Sequence, residues 1–328
     1  MRIAYFVHGN GRGHAMRARS LVPALRAHGH EVHLYSGGDA TAMLSELGGV
    51  SIDTFDPGPR LARRFVARFV SDRRLLRDLH PDVLLTDGDS PSLHAAMSAL
   101  IPSIAIGHGL LFAHCHLPIA LPLHQRIREA LNAGSASWLA HRVIVVHFGA
   151  LIPLDPRAVV ARPDPRPDLP EGAAVRGDSL VVYAGQADLS AYVRELHARG
   201  HRLLVFGRAK NLPGDIVAET PNVARFAAAL RDCRGVVGTA GSNLVAEAAV
   251  LGRPLLLLAP GHMIEQQVNA RLAERDGFAI AASADALDLT AIQRFEELLV
   301  RGVSPSQPST PTLTDALLAC LTELESGV

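Results

Sequence analysis

The chain has 328 residues, 48% of them hydrophobic and 20% charged, a length that suits two domains. Its 32 Lys or Arg balance 32 Asp or Glu, so the net charge is zero and nothing electrostatic favours nucleic acid as a partner. Three scattered cysteines, Cys115, Cys233 and Cys320, make neither a disulfide framework nor a zinc-ligand spacing and point to a reducing compartment. In chain order, residues 3–7 read as a strand. Residues 14–28 read as a helix interrupted by Pro23 and ended by Gly29. Strands follow at 31–35 and 50–55, then a helix over 60–79. Strands at 83–86 and 103–106 flank a helix near 90–99, and a strand at 143–146 closes this half. Six prolines between 153 and 177 mark a linker. The alternation then restarts, with strands at 180–183, 202–206, 223–225, 235–238 and 254–259. Helices are expected at 189–199, 242–251, 264–276, 291–300 and, after a Ser/Pro-rich loop over 304–311, at 313–325.

This order predicts an α/β protein of two doubly wound, Rossmann-like domains facing across a cleft. The expected boundaries are 1–152, a linker 153–177, and 178–328, with the last helix packing back on the first domain. Ligands of such sheets sit outside the carboxyl ends of the strands. No charged and apolar leader precedes the first strand, and the longest aliphatic run, Leu255–Ala259, is far short of a membrane span. A cytoplasmic location is therefore expected.

The loop His8-Gly9-Asn10-Gly11-Arg12-Gly13-His14 lets backbone approach a ligand closely. It departs from the dinucleotide spacing at His14, although Asp39 after the second strand keeps a nicotinamide site open. Otherwise His14 is a general base at a helix start, or a structural hydrogen-bonding residue there. Asp87, ending a strand on the same edge, can orient His14 as the acid of a triad does, or simply close an Asx-turn; Asp89 is the competing carboxylate. In the second half, Gly238 to Glu247 reads as strand, glycine turn and helix start. Amides at Gly241, Ser242 and Asn243 would face an anion, Ser242 would cap the helix, and Glu247 would accept from ribose hydroxyls. A second polar loop carries His262, Glu265, Gln266 and Gln267, whose side chains can bond sugar hydroxyls. His108, His114, Cys115 and His116 are spaced too irregularly for a metal, and none is expected; they read as loop or acceptor-pocket residues. Residues 60–77 hold seven arginines among apolar residues. They make either a solvated helix with one core face or a basic amphipathic helix touching an anionic membrane.

With these residues in view, the chain resembles GT-B glycosyltransferases. The similarity is to the clan of the peptidoglycan UDP-N-acetylglucosamine transferase and the UDP-glucuronosyl/glucosyltransferases, and to the small UDP-glucuronosyltransferase-like proteins of archaea and bacteria. It rests on Gly13-His14-Ala15-Met16-Arg17, on Pro81 through Asp87, and on Gly241 to Glu247. Gly252-Arg253-Pro254, Glu265-Gln266-Gln267 and Asn269-Ala270 complete it. It spans nearly the whole chain, and its C-terminal elements are the more specific. The resemblance implies that His14 deprotonates an acceptor hydroxyl and that backbone around Ser242 and Asn243 holds the donor phosphates. It implies that Glu247 binds the ribose, the main chain near Phe226 and Ala227 reads a uracil, and Gln266 and Gln267 contact the donor sugar. Gly185 and Gln186 would line the phosphates; Gly9, Asn10, Gly11, Gly13, Arg17 and His108 would face the acceptor. The His-Cys-Gly-x-Asn block of plant transferases is absent, which puts aromatic stacking of the base in doubt. So is the Glu-x7-Glu of a retaining group, since Leu255 and Ala273 stand where the second Glu would be. The expected reaction is therefore inverting, from a UDP-sugar to a small or lipid-linked acceptor, with no metal or cofactor. The long apolar loop 108–122 favours a bulky acceptor. The alternatives are a UDP-sugar hydrolase like that of pseudaminic-acid synthesis, and a non-catalytic nucleotide-sugar-binding protein.

Overall fold

The chain divides into two units, Met1–Asp164 with Thr310–Val328, and Pro165–Ser309. The computed structural model describes all residues except 11, 56, 57, 135, 167, 168, 170–176, 186, 208–210, 215, 220, 221, 306–308, 327 and 328. The first unit runs β1 (Arg2–Val7), α1 (Arg12–Ala27), β2 (Glu31–Ser36), α2 (Gly38–Leu44), β3 (Val50–Ser51), α3 (Leu61–Leu79) and β4 (Val83–Asp87). It continues with α4 (Ser90–Ser98), β5 (Ser103–Gly107), α5 (Leu111–His114), β6 (Cys115–His116), α6 (Leu123–Gly134), β7 (Arg142–Val146), β8 (Ile152–Pro153) and β9 (Ala158–Ala161).

Its sheet has the order β3-β2-β1-β4-β5-β7-β9, with every pairing parallel. Parallel strands need both faces covered, and β4, β5 and residues 3–7 of β1 are buried throughout. Leu21 and Leu25 of α1 pack on Tyr5 and Val7 together with Leu313, Leu317 and Leu321 of the C-terminal helix Leu313–Ser326. Each such buried aliphatic side chain contributes roughly 1.5–3 kcal/mol. Pro23 lies inside a continuous α1, which nonetheless ends before Gly29 in the left-handed region.

Several expectations need correction. The third strand stops at Ser51, because β3 is an exposed edge pairing only through Val50 and Ser51. Beyond it, Thr54 Oγ1 sits where a Cβ on Gly9 or Gly37 would clash, so both positions require glycine. The sheet does not close at β7: β9 adds beside it, from within the stretch expected as a linker. Val159 and Val160 suit a strand, and Arg157 secures its start by a two-pronged bond to Asp155 and by donating to the Trp138 and Ala140 carbonyls at 3.1 Å.

The second unit runs β10 (Ser179–Tyr183), α7 (Ser190–Ala198), β11 (Arg202–Phe206), β12 (Ala218–Glu219), α8 (Val223–Asp232) and β13 (Gly235–Gly238). It continues with α9 (Ser242–Val250), β14 (Leu255–Ala259), α10 (Ile264–Arg275), β15 (Ala279–Ser283) and α11 (Leu289–Arg301). The sheet order is β12-β11-β10-β13-β14-β15, again all parallel. The direction of winding reverses beside β10, so β10 and β13 flank the switch point. Residues 223–225 are the start of α8 and not a strand. Asn222 caps the helix by accepting from the Arg225 amide at 3.0 Å, and Ala227, Ala229 and Leu230 form its buried face. The fully buried Arg253 caps the last carbonyls of two helices, donating to Leu251 and Arg231.

Candidate active site

In the first unit the carboxyl ends of β1 and β4 bring His14 and Asp87 together. His14 Nδ1 lies 2.6 Å from Asp87 Oδ1. Arg17, one helical turn after His14, donates Nε to Asp87 Oδ2 at 2.8 Å and Nη2 to Oδ1 at 2.6 Å. Asp87 is fully buried and Arg17 nearly so. Burial alone would raise the Asp87 pKa, but the Arg17 guanidinium, helped by His14, outweighs it and holds the carboxyl at about 2. An ionised carboxylate only accepts, so Nδ1 carries the imidazole proton. The 3.0 Å approach of Arg17 Nη2 to Nδ1 is then two donors converging on one oxygen. The Nε2 lone pair has no partner among the described residues and is left for a ligand. Gly88, at φ +79, lies across the ring: a Cβ there would be 2.8 Å from His14 Cε1.

Asp89, the competing carboxylate, is committed elsewhere. It caps α4 through the Ser92 amide and, with Asp72, shares the guanidinium of the buried Arg68. Burial pushes Asp72 up to about 6 against the pull of Arg68, and Asp89 adds to the rise. Beside Gly88 lies a cavity of about 50 Å³ walled by Asp89, Ser90, Leu93, Ile106, Asn132 and Ser137.

The other residues expected on the acceptor side divide. Gly9, Asn10 and Gly13 lie at the turn into α1, while residue 11 is outside the described set. Arg17 and His108 do not face outward. Arg17 turns inward onto Asp87, and the buried His108 donates from Nδ1 to the Val146 carbonyl at 2.8 Å while stacking on His147. The apolar loop after β5 is also spent on the core: Leu110, Leu111, Phe112 and Leu117 are buried. His114 is buried against Ser137, Cys115 is a buried thiol pushed up to about 12, and His116 is exposed.

In the second unit the helix α9 starts where expected, but its cap is Gly241 and not Ser242. Ser242 is the first helical residue, and its hydroxyl and the Asn243 amide have no partner among the described residues. The Val245 amide is the first to bond back, to Gly241 at 3.1 Å, so the amides of Ser242, Asn243 and Leu244 have no intrahelical acceptor. Gly185, at φ +52 after β10, packs on the Thr239 hydroxyl; Gln186 is outside the described residues. Glu247 is half-buried and ion-paired to Arg166 at 2.9 Å, a residue that sequence reasoning passed over inside a proline-rich stretch.

Gln266 Oε1 is buried with no hydrogen-bond partner among the described residues. Gln267, by contrast, is spent on its own loop, donating to the Pro260 and Gly261 carbonyls. Glu265 is half-buried in the first turn of α10. His262 is exposed and lines a pocket of about 560 Å³ with Asp188, Arg194 and Asp285. Phe226 and Ala227 cannot offer free amides to a base. Both lie inside α8, where the Phe226 amide donates to the Asn222 carbonyl at 2.8 Å. What Phe226 presents is its ring, packed edge-on to Phe206 and tilted on Tyr183. No group of three or more metal-ligating side chains occurs among the described residues.

The profile of the family described as Glycosyl transferase family 1 matches residues 1–54 and 62–299. The UDP-N-acetylglucosamine--N-acetylmuramyl-(pentapeptide) pyrophosphoryl-undecaprenol N-acetylglucosamine transferase of Brucella canis is 23% identical over 330 residues, covering 89% of this chain and 83% of its own. The crystal structure of Acinetobacter baumannii MurG superimposes with a TM-score of 0.68 at 15% identity, over 98% of this chain and 99% of its own. A UDP-GlcNAc 2-epimerase from Methanocaldococcus jannaschii reaches 0.65 at 10% identity, over 98% and 99%. The two structures share a fold with this chain; that one is an epimerase shows that the fold alone does not choose the chemistry.

Proposed function

The chain belongs to glycosyl transferase family 1 and is a glycosyltransferase of the GT-B fold, and from that premise we propose that it moves a sugar from a UDP-sugar to an acceptor hydroxyl with inversion, His14 acting as base. The observation that carries the reading is the 2.6 Å bond between His14 and a buried, Arg17-clamped Asp87. It fixes the tautomer, leaves Nε2 to take the acceptor proton, and stabilises the imidazolium that forms. The second unit supplies the leaving-group side. The amides of Ser242, Asn243 and Leu244 at the start of α9 hold the diphosphate, where the helix N-terminus stabilises developing negative charge without a metal or cofactor. Glu247 takes the ribose hydroxyls, its bond to Arg166 holding the carboxylate in place. Gln266, with a buried oxygen unspent, contacts the sugar together with Glu265 and His262.

The Brucella relative is named for an undecaprenol-linked acceptor, which supports a lipid-linked acceptor here. We extend the reading to a cytoplasmic enzyme touching an anionic membrane through α3. Leu61, Val66 and Val70 of that helix are exposed among Arg63, Arg73, Arg74 and Arg77, and only Arg68 of the arginine-rich stretch is turned inward. No helix among the described residues is long and apolar enough to cross a membrane. Hydrolysis is the second reading. It is favoured by the burial of Leu111 and Phe112, which removes the apolar loop as an acceptor surface, and His14 would then activate water.

Thermal melting with UDP, dTDP, GDP and NAD in parallel tests the donor assignment. A ligand at about 100 times its dissociation constant adds roughly 2.7 kcal/mol of stability, which is easily seen. A shift with UDP, alone or with dTDP, is expected. A shift with NAD only, or with none of the four, removes the roles given to Ser242 and Glu247.

A further inference from the structure

We propose that Asn269 is a positioning residue of the donor site, whose side-chain amide locks the Ala240–Gly241 peptide so that the start of α9 presents only N–H groups to the donor phosphates. The proposal rests on the donor-site reading above and adds a residue that does not itself touch the donor. Asn269 lies on α10 and has no exposed surface; its Nδ2 donates to the Ala240 carbonyl at 2.9 Å. Ala240 is likewise fully buried. On its far side the Gly241 amide donates to the Thr239 carbonyl at 2.8 Å, closing a three-residue turn immediately before the helix.

The peptide joining Ala240 to Gly241 therefore has both of its polar ends tied, one to the turn and one to α10. A buried carbonyl must find a donor. Without Asn269 the Ala240 oxygen regains one by rotating towards water, which reaches this segment at Gly241, Ser242 and Asn243. Rotation would put a carbonyl oxygen, with its partial negative charge, among the amides that the phosphates need, and it would break the Gly241–Thr239 bond. The effect is on the orientation of one peptide and not on the core: Asn269 is followed by Ala270, Leu272 and Ala273, which supply the apolar packing of α10.

Chemistry distinguishes this from a packing role. Asn269→Asp keeps the shape and replaces the donating amide with a carboxylate that repels the carbonyl. A buried carboxyl has a raised pKa, and once protonated it donates again. Asn269→Leu keeps the volume and never donates. UDP affinity is measured for each variant relative to the wild type at pH 5.5 and pH 8, with melting curves confirming a folded chain. The expected result at pH 8 is a loss of about tenfold or more for both variants. At pH 5.5 the Asp variant recovers most of its affinity and the Leu variant none. If the Asp variant unfolds at pH 8, Asn269→Ser, which retains a donor, is set against Asn269→Leu, and Ser is expected to bind more tightly. Variants that bind UDP as the wild type does, an Asp variant with no pH-dependent recovery, or equal affinities of Ser and Leu would each overturn the proposal. A wild type that binds no UDP would instead remove the donor-site reading on which it rests.

Discussion

Replacing His14 by Ala lowers turnover by about 10²- to 10⁴-fold, the usual worth of a positioned general base, and leaves UDP affinity within roughly twofold. The separation of the two effects follows from the site. His14 lies on α1 of the first unit, whereas the amides and carboxylate assigned to the donor lie on α9 of the second. The ring is partly exposed and its neighbour is Gly88, so truncation opens space without stranding an apolar core. The side chain orphaned is Asp87, which retains Arg17. Turnover and nucleotide titration on the same protein decide it. An Ala variant that turns over at the wild-type rate would show that another group takes the proton. One that loses UDP binding would show that His14 belongs to the donor site.

Asp87→Asn is expected to cost about 3–5 kcal/mol of stability, because it leaves the Arg17 guanidinium buried without its counter-charge. Asp72→Asn is expected to cost far less, although Asp72 is as deeply buried and also bonded to an arginine. The two carboxyls are shifted in opposite directions. Asp87 is held at about 2, below its ordinary value of 3.8, so its contribution is present above pH 3.8 and is lost as pH falls through about 2. Asp72 is raised to about 6, so its protonated form favours folding below 3.8 and that contribution is lost as pH rises through about 6. Arg68 keeps Asp89 when Asp72 is neutralised. Urea unfolding at pH 5 and pH 8 is the check. The Asp72 variant should improve relative to wild type as pH rises, and the Asp87 variant should be weak at both values. Equal losses from the two substitutions would mean that the Arg17–Asp87 clamp has no special weight. Turnover of the Asp87 variant should also fall, since Asn no longer fixes the His14 tautomer.

The parallel sheets were legible because buried strands such as Leu255–Ala259 are nearly pure aliphatic runs between glycine turns. The pairing of His14 with Asp87 was legible because both stand at strand ends on one edge of a sheet. Arg17 was misread as an outward residue, though its i,i+3 relation to His14 places both on one helix face. His108 was misread for a different reason: an imidazole in a loop looks available until the carbonyl of Val146 claims it. Residues 223–225 read as a strand because three residues carry no period, whereas the Asn222 cap and the alanines that follow decide for a helix. β15 escaped notice because Ala279–Ser283 has a single strongly strand-forming residue, Ile280, and is held by its neighbour β14. Arg166 and Asn269 act through partners 81 and 29 residues away in sequence, a kind of contact that no local pattern encodes.

The most direct test of inverting transfer is the anomeric configuration of the first product. UDP-α-hexoses are given to the enzyme, and proton NMR follows release to acceptor or, slowly, to water. The account predicts UDP together with a product that is β at the anomeric carbon before any mutarotation, because a base-activated hydroxyl attacks opposite the leaving diphosphate. An α product, or consumption of the donor without release of UDP, would contradict it.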